Sequence, residues 1–165
     1  MIAHFSEWLA GTELSLLFST VSWFVPLVQT IHILAIAAVI ASMAMLNLRV
    51  VGIAGRDHGV GQMADRFLPW MWRALLVLIA TGAMLIVAEP PRSLLNPLFQ
   101  AKMGLLLAVV LLTLGFQAML KGQAGRWDRE AGAPASAKLV ALVSLLLWVA
   151  IIFAGRWIAY VDTGL

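Results

Sequence analysis

The stretch from Trp23 to Arg49, WFVPLVQTIHILAIAAVIASMAMLNLR, constrains this chain more than any other. It is apolar over the length that a bilayer core demands of a helix, about 20 residues. One histidine, His32, interrupts it, and Gln29 lies one helical turn earlier on the same face. An ionisable side chain at that depth is costly and marks a functional site by default. Composition agrees with a membrane setting. The 165 residues are 62% hydrophobic and 12% charged, with a mean hydropathy of +0.97. A water-soluble fold of this length would expose too much apolar surface to stay dispersed. The net charge of +3 does not point to nucleic acid, because the basic residues sit in or beside the loops. The chain has no cysteine, which excludes disulfides, thiolate metal sites, iron–sulfur clusters and covalent c-type haem.

The pattern predicts an all-α integral membrane four-helix bundle, a single transmembrane domain over residues 1–165. The expected spans are 22–52, 69–89, 96–120 and 137–161. Ser19, Thr20 and Ser22 offer cap oxygens to the first. Pro69 marks the start of the second, and Pro90 with Pro91 its stop. Asn96 caps the third, with Pro97 at its first position. The segments GIAGRDHGVGQMADR and GQAGRWDREAGAPAS read as polar loops, with His58 solvated in the first. Upstream, residues 3–18 form a short amphipathic helix, with Glu7 and Glu13 breaking any signal-peptide pattern. It either lies in the membrane interface with Trp8 as anchor or caps the bundle end. Gly82 lets a helix or a flat ligand approach the second span closely.

Charge sets an expected orientation. Arg49, Arg56 and Arg66 lie in or beside the first long loop, and Lys121, Arg126, Arg129 and Lys138 flank the third connection, while the second has only Arg92. The positive-inside rule places the two basic loops in the cytoplasm and both termini outside. His32 then lies about 13 Å below the outer start of helix one, and Lys102 about 9 Å below that of helix three. Arg156 lies about 8 Å from the outer end of helix four. Gln29, His32, Lys102 and Arg156 thus share one leaflet on three helices, as expected of one site inside a bundle. A core histidine bonded to Gln29 or a carbonyl, with Lys102 and Arg156 snorkelling outward, is the plainer alternative.

An imidazole is a good axial ligand for haem iron. Haem is flat and apolar with two anionic propionates, so it suits a bundle with cations near the rim. The expected cofactor is one haem b per chain. His32 is its axial ligand, Lys102 a second ligand or a propionate partner, and Arg156 a propionate partner through its guanidinium. Copper is the competing metal, through Met43, Met45, Met84 and Met103, since thioether sulfur suits Cu(I). The segments PLVQTIHILAIAAVIASMAMLNLRVVG, NPLFQAKMGLLL and GRWIAY resemble an uncharacterised bacterial four-helix membrane family over the whole chain. More distantly, the pattern is similar to the J-type protoporphyrinogen IX oxidases, which carry b haem, and the layout to copper-resistance D-type membrane proteins. The oxidase resemblance implies that His32, Arg49 and Lys102 match that family's set. Gln29 stands where it has a lysine, and LNLR where it has an L-P-R-L segment. The expected function is electron transfer or porphyrin oxidation, with an unknown redox partner, in a bacterial inner membrane. The alternative is a transport or assembly subunit without haem. Ala35, Ala38, Ala41 and Ser42 are small enough to support a homo-oligomer.

Overall fold

The computed structural model describes residues 1–129 and 132–157, and among these it is helical with no strand. The elements are α1 (Ile2–Ala10), α2 (Glu13–Thr20), α3 (Phe24–Val51), α4 (Val60–Ala88), α5 (Pro90–Leu94), α6 (Pro97–Arg129) and α7 (Ala135–Trp157). Four of them, α3, α4, α6 and α7, are long and apolar enough to cross a membrane, with mean hydropathies of 2.1 to 2.5. Only 17–28% of each apolar window is buried inside the bundle. Most apolar side chains therefore face outward, which is stable in lipid and not in water. This is a multi-pass membrane protein.

The four long helices close a ring. α3 packs on α4 and α7, and α6 packs on α7 and α4, so α3 and α6 stand diagonally across the bundle. On α3, Val28, Ala35, Val39, Met43, Leu46 and Val50 are buried at helical spacing and face the interior. Gly52 ends that helix in the left-handed conformation (φ 89°), with its amide and that of Ile53 closing on the Leu48 carbonyl. Asn96 caps α6 as expected. Its Oδ1 accepts from the amide of Leu98 at 2.9 Å, and Pro97 occupies the first helical position.

Several boundaries differ from the sequence reading. α4 begins at Val60, and Pro69 lies inside it rather than at its start. Val60, Met63, Ala64, Leu68 and Met71 form a continuous buried stripe, and that packing carries the helix through the proline. α6 runs on to Arg129, because Leu120 and Trp127 are buried on its inner face. Most of the polar segment expected as a loop is therefore helix. The predicted end of the fourth span at 161 lies outside the described residues. The hydroxyls of Ser19 and Thr20 bond back to Leu16 within α2, so α3 begins without a side-chain cap.

The N-terminal helix divides in two at Gly11, and Thr12 caps α2. Its polarity is inverted. Ser6 and Ser15 are buried, whereas Ile2, Phe5, Trp8, Leu16 and Leu17 are exposed. α1 rests on α5 and α2 on α4, so these helices cover one end of the bundle and turn an apolar face outward.

Candidate functional site

The end of the bundle covered by α1, α2 and α5 holds His32. Its Nδ1 lies 2.8 Å from the hydroxyl oxygen of Thr81 on α4. That hydroxyl has one proton, and it lies 2.7 Å from the Val77 carbonyl and 3.2 Å from the Leu78 carbonyl of its own helix. When that proton is directed into the helix, Thr81 accepts from His32 and Nδ1 carries the hydrogen. The lone pair of the neutral ring is then on Nε2, which makes no hydrogen bond among the described residues. Fixing one ring nitrogen so that the other is presented is how proteins orient a metal-ligating histidine. Gly82, the next residue, completes the seat: a Cβ there would stand 3.5 Å from His32 Cε1. The ring thus packs over the α4 backbone at ordinary contact distance.

Lys102 lies across the bundle on α6, toward the same end. Its stem rests on a second glycine. A Cβ at Gly155 of α7 would stand 3.4 Å from Nζ and 3.6 Å from Cε. Lys102 is half-buried and makes no ion pair or hydrogen bond among the described residues. The four membrane helices thus contribute His32 (α3), Thr81 and Gly82 (α4), Lys102 (α6) and Gly155 (α7). The other expected members are placed differently. Arg156 adjoins Gly155 and is exposed, at the rim. Gln29 is exposed and makes no hydrogen bond with His32; Thr81 takes that role.

The remaining candidates lie elsewhere. Arg49 is at the opposite end of α3, about 25 Å along the helix from His32. There it bonds the His58 carbonyl through Nε and approaches Asp128 Oδ1 at 3.8 Å. His58 is exposed. The methionines weighed for copper are dispersed: Met43 is buried, while Met45, Met84 and Met103 face outward. Ala35 and Ser42 are buried inside the bundle, and Ala38 and Ala41 are exposed. Among the described residues, no three of His, Cys, Asp or Glu come together as a metal site.

Sequence reasoning missed Thr81, Gly155 and Asp128. A signal for Thr81 was present in its position beside Gly82. Asp128 gave none, because its segment had the composition of a loop.

Comparison with known proteins adds one finding. A family model described as a family of unknown function (DUF6644) matches residues 5–161, and the chain belongs to that family. No curated protein and no solved structure matches it.

Proposed function

We propose that this member of DUF6644 binds one b-type haem among its four membrane helices and works in electron transfer or porphyrin oxidation. The observation that carries this reading is the His32–Thr81 pair. It leaves one oriented imidazole nitrogen, Nε2, unused inside a membrane bundle. A bare ion would need several protein ligands, and no three acidic, histidine or cysteine side chains gather among the described residues. A porphyrin supplies four nitrogens itself, so a single histidine suffices. When bound, haem supplies a one-electron redox couple.

The protein's own residues divide the remaining tasks. Thr81 holds the His32 ring. Lys102 meets no carboxylate among the described residues, so it serves as a second nitrogen ligand in neutral form or as the cation that pairs with a propionate. Arg156, at the rim, pairs with a propionate. The orientation is part of the proposal: both termini lie outside the cytoplasm of an inner membrane, because the basic residues crowd the α3–α4 and α6–α7 connections. A reporter fused after Leu165 reads that side, and cytoplasmic activity there reverses the orientation.

The test is the absorption spectrum of detergent-purified protein. It should show a Soret band and yield non-covalent haem b on extraction, and His32→Ala should lose both while remaining in the membrane. Lys102→Arg separates the two roles of Lys102. A guanidinium stays protonated and cannot ligate iron, so a shift from low to high spin identifies Lys102 as the ligand. An unchanged spin state assigns it to the propionate. A colourless protein, even with added haem precursor, defeats the reading.

A further inference from the structure

The opposite end of the bundle carries a second site, independent of the haem reading. A groove of about 390 Å³ opens between α4 and α6. It straddles the edge of the apolar zone. Leu68 and Leu120 line it within the apolar runs, and Asp65 and Lys121 line it beside the polar ends of the same helices. Trp72 Nε1 donates to Gln117 Oε1 at 3.1 Å and ties the two helices together in the wall of the groove.

Three polar features there lack partners. Asp65 and Lys121 carry opposite charges, yet neither forms an ion pair with the other or with any described residue. The Gln117 carboxamide accepts from Trp72, and its amide hydrogens make no bond among the described residues. The Asp65 carbonyl has no helical amide to accept from four residues later, because Pro69 carries none. An acid, a base and an amide donor, ordered from the polar edge toward the apolar zone, match one kind of molecule.

We propose that this groove binds a phospholipid whose headgroup contains a phosphate and a primary ammonium. Lys121 pairs with the phosphate. Gln117, one helical turn deeper at about 6 Å, donates to a glycerol ester carbonyl. The Asp65 carboxylate and its orphaned backbone carbonyl accept from the ammonium. Pro69 and Trp72, which line the groove and are not buried, lie along the first methylenes of an acyl chain. A choline headgroup has no N–H to give Asp65, and a glycerol headgroup has hydroxyl donors but no cation for it. The site therefore selects phosphatidylethanolamine by a donor that is also charged.

Native mass spectrometry of the full chain tests this, with phosphatidylethanolamine, phosphatidylcholine and phosphatidylglycerol of identical acyl chains at equal concentration. Phosphatidylethanolamine should be retained about threefold over phosphatidylcholine, the scale of one exposed charge pair. Asp65→Asn should abolish that preference. Lys121→Gln should lower retention of all three lipids. If Asp65→Asn does not fold, Pro69→Ala replaces it, since a restored amide satisfies the Asp65 carbonyl and should reduce the preference. Equal retention of the three lipids by the wild type overturns the proposal, as does a preference that the Asp65 or Pro69 substitution leaves unchanged.

Discussion

The two ends of this bundle are built on opposite terms. At the Arg49 end, α3 buries Val39, Met43, Leu46, Asn47 and Val50, and α6 buries Phe116, Leu120 and Trp127. The start of α4 is matched there by a charge from α6. Asp128 on α6 accepts the Val60 amide at 2.7 Å and so caps α4 from another helix, while Arg49 stands beside it at 3.8 Å. Gly59 makes the approach feasible, since a Cβ there would lie 2.7 Å from Asp128 Oδ2. At the His32 end, α6 contributes no buried side chain before Val109. Val28, Ala35, Leu78, Ala88 and Ile151 are buried there, and beside them stand a half-buried histidine, a half-buried lysine and two glycines. At one end α6 is packed into the core, and at the other it leaves room for a half-buried histidine and lysine. Stability and chemistry are thus separated along the bundle axis, and the separation can be tested at each end.

The largest effect should come from the packed end. Trp127 is 3% exposed, and Trp127→Ala should cost about 3–5 kcal/mol in a denaturation titration of the detergent-solubilised protein, the range for large aromatic deletions in cores. A cost below 1 kcal/mol would remove the basis for calling that end the stabilising one. Asp128→Ala is the next step down. It leaves the Val60 amide uncapped and should cost about 1–2 kcal/mol, with little added from the partly exposed Arg49 pair. Haem content per folded molecule should not change, and a coloured wild type with a bleached Asp128→Ala would mean that the ends are coupled.

Thr81→Val moves to the other end. It keeps the shape and removes the acceptor that selects the His32 tautomer, so haem affinity should fall about tenfold, at the lower edge of such orienting interactions. The melting transition of the haem-free protein should barely move. The smallest effect should be at Gln29, which is exposed and unbonded to His32. Gln29→Ala should leave the Soret absorbance unchanged, and a large loss would restore the reading in which Gln29 holds the ring.

The same contrast explains what the sequence disclosed. The four long apolar helices and the Asn96–Pro97 cap follow from local rules of hydropathy and capping, and there those rules held. The start of α4 did not follow. Pro69 and the glycines around Asp57 argued for a loop. Yet Val60, Met63, Ala64, Phe67, Leu68 and Met71 already carried the helical period, and the cap came from Asp128, 68 residues away. Thr81 was hidden for a related reason. Which residue of α4 faces His32 depends on the register between two helices, and non-local packing sets that register. Asp128 and Thr81 both act across helices, beyond the reach of spacing along one.

The most direct measurement concerns the His32 nitrogen itself. His32→Gly, purified in detergent and supplied with haem, should lack the Soret band of the wild type. Added imidazole should restore it, because the free ligand can occupy the space that the side chain leaves beside Gly82. If the His32→Gly protein holds haem fully without imidazole, or if the wild type binds none, the central claim that His32 presents Nε2 to a haem iron is wrong.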